Sequence, residues 1–406
     1  MIRKITASIE AHLNKPQHTI VTGARQLGKT TMLKQVYQNL ENRGQKAYYF
    51  TLEAPDILHL LNEHPENLFK LLPKPETEKV FLLIDEVQYL ANPTNFLKYH
   101  YDLYKDRLKI IATGSSAFYI DSNFKDSLAG RKKIIRVDPL NFEEFLLFKE
   151  QKMLLREYES IKSNKDYLSS KSVDFKRMLE EYLLYGGYPE VVLQEKPADK
   201  IELLNELKSS FLKKDILESQ VEDETKFRDL FKLLAAQSGS LVNKNELCST
   251  LRLAEKTVER YLFILQKCFH IQLLKPFYAN LRKELTKMPK VYINDVGMRN
   301  AMLNNFSAID DRMDKGQLLE NFIFNELRQT IKPDDIKYWR TADGNEIDFV
   351  IETSADTGFA IEAKWTEREF KASKYKKFAE NYPNYPLHIR SFDFENTSNW
   401  ALKPIA

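Results

Sequence analysis

The chain has 406 residues, of which 43% are hydrophobic and 29% charged, with a formal net charge of +3; these are the proportions of a soluble globular protein of two to four domains. The longest apolar runs, such as Val80 to Ile84 and Tyr261 to Leu265, are five residues, far short of the roughly 20 a membrane helix needs, so no membrane partner is expected. Two cysteines, Cys248 and Cys268, exclude a disulfide framework, no His or Cys lies at zinc-ligand spacing, and a reducing cytoplasm is the expected compartment.

The first residues, with Ile2, Ile5 and Ile9 on one face, read as a helix over 2–13 and not as a signal peptide. His18 to Thr22 is a short β-rich run that ends at Gly23-Ala-Arg-Gln-Leu-Gly-Lys-Thr30, a complete GxxxxGK[ST] loop. Gly23 and Gly28 allow the tight turn that lets backbone N–H groups surround a phosphate. Ala24, Arg25, Gln26 and Leu27 complete the cradle, Lys29 carries positive charge to the β- and γ-phosphates, and Thr30 is placed to ligate Mg²⁺. Thr31 follows in a helix over 30–42, whose positive dipole end faces the loop.

Lys79 to Ile84 is an apolar strand capped by Asp85 and Glu86. A continuous apolar strand belongs in a parallel sheet covered on both faces, and ligands bind at the carboxyl ends of such strands. Asp85 is therefore expected to hold Mg²⁺ through its water shell, and Glu86 to polarise the attacking water. The run Lys109 to Ser115 ends in the hydroxyls of Thr113 and Ser115, where a γ-phosphate sensor would stand. Strands at 18–22, 46–51, 80–85, 109–113 and 133–137 alternate with helices at 2–13, 30–42 and 94–106, so a doubly wound α/β domain is expected over 1–140.

Residues 141–222 read as helical, including Phe142 to Gln151 and Phe175 to Leu184, with a turn at Tyr185-Gly-Gly-Tyr-Pro189 and an exposed connection from Ser160 to Ser172. Over 223–306 the order is three helices (227–237, 243–251, 255–268) and two strands (271–276, 290–294), the order of a winged helix-turn-helix. In that motif the third helix enters the major groove and the ribbon loop touches the backbone. Lys256, Thr257 and Arg260 are the expected DNA-facing residues of the helix, and Arg282, Lys283 and Lys287, with Lys290, those of the ribbon loop. Residues 241–300 carry eleven Lys and Arg against five Asp and Glu, the signature of a nucleic-acid surface. Glu255 and Glu259 on the same helix oppose it, so a protein-docking role stays open.

The last hundred residues, 307–406, read as a helix over 316–329 bearing Glu320 among apolar neighbours, a hairpin of strands 336–341 and 346–352, and a strand over 359–365. Strand period two places Glu362 and Lys364 on one face. Asp348, Glu362 and Lys364 form the pattern Asp-x13-Glu-x-Lys, in which two carboxylates bind Mg²⁺ at a scissile phosphate and the lysine positions water. Glu320 would add a ligand from the helix. An ordinary charged surface strand fits the same pattern.

These blocks stand in the order of a large family that the chain resembles, bacterial and archaeal AAA-type ATPases joining a P-loop domain to a winged helix and a PD-(D/E)XK nuclease-like tail. The resemblance rests on Gly23 to Thr31, Leu83-Ile-Asp-Glu-Val-Gln88, Thr113-Gly-Ser-Ser116, Leu128-Ala-Gly-Arg131, Pro139 to Phe145, Tyr185 to Pro189, Glu346-Ile-Asp-Phe349 and Ile361-Glu-Ala-Lys364. It implies a P-loop NTPase sheet of the additional-strand type, a preference for ATP, and a small α/β restriction-endonuclease-like tail. It also implies that Arg131 touches a γ-phosphate, in cis or from a neighbouring subunit. Many members of the family are thought to have lost nuclease ligands, whereas Asp348, Glu362 and Lys364 are all present here. An ATP-hydrolysing, Mg²⁺-using protein acting on DNA is the function expected, with either a gated nuclease or a non-nucleolytic switch as its output, and with a homo-oligomer left open.

Overall fold

The computed structural model describes residues 3–114, 128–164, 167–278, 284, 287–354, 356–394 and 397–403. They divide into two units: 1–138 with 267–269, and 139–266 with 270–406.

In the first unit, β1 (His18–Thr22), β2 (Lys46–Thr51), β3 (Val80–Asp85), β4 (Leu108–Gly114) and β5 (Lys132–Arg136) form one sheet in the order β2-β3-β4-β1-β5. Every pairing is parallel. The strand β4 separates β1 from β3, which is the additional-strand arrangement expected. β1, β3 and β4 are buried along their whole length, as central parallel strands with both faces covered must be. The helices α1 (Ile5–Ala11), α2 (Lys29–Asn42), α3 (Pro55–Glu63) and α4 (Pro93–Tyr104) supply the cover. Ile20, Leu82, Ile84, Phe96, Leu97 and Ile110 are at the centre of the core.

The helix expected over 2–13 is shorter, because a turn leads from His12 into Pro16 and the strand. The helix α4 starts sharply: Asn92 accepts from Asn95 N and Pro93 takes the first helical position, where a missing N–H is harmless. The helix α3 was not expected from the sequence; its nine residues hold fewer than three turns of apolar periodicity.

The expected domains 141–222, 223–306 and 307–406 fall, apart from residues 267–269, within the second unit. One core joins Phe145, Leu179 and Tyr182 to Tyr292, to Phe322 on helix Lys315–Leu327, and to Phe349 and Trp400. The order of three helices (Glu224–Ala236, Lys244–Leu251, Glu255–Lys267) and two strands, β6 (Ile271–Leu274) and β7 (Lys290–Ile293), is as expected, and the strands are antiparallel. The last four strands, β8 (Ile336–Arg340), β9 (Glu346–Ser354), β10 (Thr357–Thr366) and β11 (Leu387–Asp393), form a sheet in the order β11-β10-β9-β8. Only β10 and β11 are parallel.

The Tyr185 to Pro189 turn is a packing joint. Gly186, at φ +75°, ends helix Ser172–Tyr185, and a Cβ there would lie 2.3 Å from the Asp295 carboxylate. That carboxylate accepts from Gly187 N and caps the next helix through Met298 N. Gly297 has no room for a Cβ either, since it would fall 2.1 Å from Tyr185 O. In the segment expected as an exposed connection, helix Lys152–Ser163 runs into its first part, and buried Ser169 bonds Glu157.

Candidate functional site

The phosphate loop follows the buried strand β1 and opens α2. Gly23 sits at φ +156°, where a Cβ would fall 2.1 Å from Val137 O, so no larger residue fits. Gly28 sits at φ +81°, a backbone conformation that side-chain-bearing residues rarely adopt, with nothing within 4 Å of where a Cβ would stand. Ala24 and Leu27 are buried and anchor the loop, whereas Gln26 and Thr31 are exposed and Arg25 half-buried. Lys29 turns onto the loop itself, donating to Gly23 O at 2.9 Å and Ala24 O at 2.6 Å. Arg3 ties the loop down from outside, with bonds to Leu27 O and Asp138 O.

Burial pushes the Lys29 ammonium down to about 8, an effect that Glu86 and Asp85 partly offset. Phosphate oxygens beside it favour the charged form. Nucleotide binding is therefore expected to take up a proton above about pH 8, and affinity to fall as pH rises past that value. Calorimetry in buffers of different ionisation enthalpy measures the uptake; none at about pH 9 would show that Lys29 is not the group engaged.

The carboxyl ends of β3 and β4 converge on this loop. Asp85 Oδ2 accepts from Thr30 Oγ1 at 2.8 Å and from Tyr49 on β2 at 3.2 Å, while Asp85 Oδ1 accepts from Thr113 Oγ1. Thr113 Oγ1 also accepts from Glu86 N at 3.0 Å. One hydroxyl thus fixes both acids. Glu86 lies in the left-handed region, φ +59°, which costs a non-glycine residue about 1–3 kcal/mol and is characteristic of functional positions. Gln88 donates to the Glu86 carboxylate. Thr30 and Asp85 thus present a hydroxyl and a carboxylate in contact at the start of α2, a donor set whose chemistry fits a hard divalent cation.

Tyr49 was missed by sequence reasoning because it belongs to no motif and matters through a contact across the sheet, and Gln88, although it closes the Leu83 to Gln88 block, was assigned no role because its contact with Glu86 is made across the turn. Arg131 is not brought to the phosphate loop. It precedes β5 at the amino end of the sheet, where its backbone oxygen pairs with His18 N and its guanidinium with Asp102 at 2.7 Å. The five-residue strand β1 separates it from Gly23, a span of about 16 Å at 3.3 Å per residue. A contact to a γ-phosphate in cis is thereby corrected. Ser115, Arg282 and Lys283 lie outside the described residues.

In the second unit, Glu320, Asp348, Glu362 and Lys364 do come together. Asp348 and Glu362 sit where β9 and β10 part: Asp348 N donates to Glu362 Oε2 at 3.3 Å, and Ala363 N to Asp348 Oδ2 at 2.9 Å. Lys364 lies 2.5 Å from Glu362 Oε1, which also accepts from Tyr375 at 2.8 Å. Burial and the nearby Asp348 charge push the Glu362 carboxyl up to about 8 and that of Glu320 up to about 7.

Lys290 changes the reading of this cluster. Expected on an exposed ribbon, it is 1% exposed, and its Nζ lies 3.1 Å from Glu320 Oε1, 2.5 Å from Glu346 Oε1 and 3.4 Å from Asp348 Oδ1. Tyr292, two residues on and therefore on the same face of β7, donates to Glu320 Oε1 at 2.6 Å. Among the described residues no group of three or more His, Cys, Asp or Glu side chains could hold a metal ion. Oxygens of Glu320, Asp348 and Glu362, the carboxylates expected as metal ligands, are thus bonded by Lys290, Tyr292, Lys364 and Tyr375.

The residues expected to face DNA are placed unevenly. Lys256 and Lys287 are exposed and Thr257 half-buried. Arg260 donates to Ser219 O and Gln220 O, closing the carboxyl end of helix Pro197–Glu218. That is a helix-capping role favoured by the dipole, not a free guanidinium. Glu259 pairs with Lys244. No helix among the described residues is long and apolar enough to cross a membrane.

The strand order, the loop, the two acids at the end of β3 and the Thr113 hydroxyl at the end of β4 have the arrangement of a P-loop domain, and residues 15–146 match the family model described as "AAA domain". Residues 176–308 and 315–396 match two further models, each described as a "Domain of unknown function" (DUF8612 and DUF4143).

Along most of its length the chain is similar to uncharacterized proteins of distant organisms. One from Haemophilus influenzae is 26% identical over 82% of this chain and 78% of its own length. One from Methanocaldococcus jannaschii is 25% identical over 92% and 81%, and one from Mycobacterium tuberculosis 25% over 88% and 73%. Among solved structures, the Holliday junction branch migration motor RuvB of Thermotoga maritima aligns at TM-score 0.31 and 15% identity, over 66% of this chain and 87% of that one. AMPPCP-bound DnaA from Aquifex aeolicus aligns at 0.31 and 15%, over 66% and 89%. These are slight likenesses.

Proposed function

We propose that the chain is an ATP hydrolase whose first unit turns over ATP and whose second unit acts on DNA without cutting it. The observation that carries the ATP reading is the array in which Thr30, Tyr49 and Thr113 bind Asp85 while Thr113 also holds Glu86 N. In this reading Lys29 leaves its carbonyl partners for the β- and γ-phosphates. Thr30 and Asp85 would hold Mg²⁺, which supplies charge neutralisation at the phosphate oxygens. Glu86 accepts the proton of the attacking water, and Thr113 keeps Asp85 and Glu86 in register.

The DNA part rests on the basic excess of residues 241–300 and on the exposed Lys256 and Lys287. Lys290, Arg260 and Arg299 subtract from that excess, because each is committed to partners within the fold. Binding is expected to be phosphate-directed and salt-sensitive. Gel retardation of duplex and single-stranded DNA at low salt should appear, and weaken together for all sequences in Lys256→Glu/Lys287→Glu. No retardation at the lowest salt refutes the DNA part and favours a unit that docks protein.

The nuclease reading has one observation in its favour, the shared position of Asp348, Glu362 and Lys364 where β9 and β10 part. The ammonium of Lys290 among the carboxylates counts against it. No Mg²⁺-dependent cleavage is expected; cleavage lost in Asp348→Ala would restore that reading.

A further inference from the structure

We propose that Lys290 is the resident cation of the acidic cluster, standing where a nuclease of this general design would hold a divalent metal, so that the native chain takes no such ion between Glu320, Asp348 and Glu362. An ammonium has three N–H donors and no acceptor. Here three carboxylates from two elements, Glu320 from helix Lys315–Leu327 and Glu346 and Asp348 from β9, converge on its Nζ at 3.1, 2.5 and 3.4 Å.

The oxygens a metal would need are already engaged. Asp348 Oδ1 accepts from Lys290 and Oδ2 from Ala363 N. Glu362 Oε1 accepts from Lys364 and Tyr375, and Oε2 from Asp348 N. Glu346 is shared between Lys290 and Arg340. Glu320 Oε1 takes both Lys290 and Tyr292. Mg²⁺ requires close, near-octahedral oxygen ligands at about 2.0–2.1 Å, and this set offers it one carboxylate oxygen, Glu320 Oε2, that no protein donor reaches in these bonds.

Nor does Lys290 have a route aside. Its backbone belongs to β7, paired with Leu274 of β6 on one side and bridged to Leu241 on the other. The lysine ties that strand to β9 and to the helix bearing Glu320, which is the work a structural metal does elsewhere.

Mn²⁺ titration of the full-length chain by calorimetry, without nucleotide so that the phosphate loop contributes no metal site, is the test. Wild type is expected to show no Mn²⁺ site that depends on Asp348, so that its titration matches that of Asp348→Asn. Lys290→Met should gain one Mn²⁺ per chain, and Lys290→Met/Asp348→Asn should lose it again. A wild-type site abolished by Asp348→Asn overturns the proposal, and this arm decides by itself if Lys290→Met does not fold. A folded Lys290→Met that gains no Mn²⁺ also overturns it. ATP turnover is a separate readout, so failure here leaves the ATP reading standing, and the converse holds.

Discussion

Glu86→Gln is expected to bind ATP as wild type does and to lose about 10²–10⁴-fold in turnover, the usual contribution of a positioned general base. The amide keeps the size of the side chain and can still meet Gln88, but it cannot take a proton. Binding is spared because the groups placed for the phosphates are Lys29 and the loop backbone, which sit on a separate segment from Glu86. The left-handed backbone at Glu86 is unchanged by the swap, so strain does not confound the result. In barrier terms the loss is about 3–5 kcal/mol. Phosphate release and nucleotide affinity, measured on the same preparation, separate the two effects. Retained turnover would remove Glu86 from the mechanism and shift attention to another base.

Lys290→Met should destabilise the second unit by about 3–5 kcal/mol, the cost of breaking a buried ion pair from one side. The methionine fills similar volume, so the loss is electrostatic: Glu320, Glu346 and Asp348 stay close together without their shared counter-charge. At about 2–4 °C per kcal/mol for large domains, its melting transition falls by roughly 10 °C. Added Mn²⁺ should restore part of the loss, by mass action on the folded state.

The sign of the pH dependence follows from the raised carboxyls. Glu320 and Glu362 are pushed up to about 7 and about 8 by burial and by Asp348. The folded chain thus holds protons that the unfolded chain has released. That contribution to stability is complete below the ordinary carboxylate range and is lost as pH rises through these values. The melting temperature of the same transition should therefore fall between about pH 5 and pH 8 in wild type and level off above that. A melting temperature that rises over this range would show that these carboxyls are not raised in the folded state.

The phosphate loop was legible because all its chemistry lies within eight consecutive residues, and β1, β3 and β4 because buried parallel strands are continuous apolar runs. Strand period placed Glu362 and Lys364 on one face, and the neighbouring strands of the expected hairpin brought Asp348 beside them. What could not be read was how distant segments share space. Lys290 lies 58 residues from Asp348 in the chain, and in sequence it sits among basic residues that suggest a solvent-exposed ribbon. Its one local signal was the alternation Lys290, Tyr292 along β7, two polar groups on the same strand face. For Arg131 the family motif fixes the position in the chain but not the side of the sheet, so a role in cis and one from a neighbouring subunit read alike in sequence. Nor could the sequence show that Phe145, Tyr292 and Phe349, far apart in the chain, share one hydrophobic core.

The most direct measurement is steady-state phosphate release from Mg·ATP by the purified full-length chain, with and without DNA at low salt, for wild type and Glu86→Gln. Wild type should turn over ATP, faster with DNA present, and Glu86→Gln should not in either condition. A wild-type chain that binds ATP yet releases no phosphate, with or without DNA, would contradict the reading of this protein as a DNA-directed ATP hydrolase.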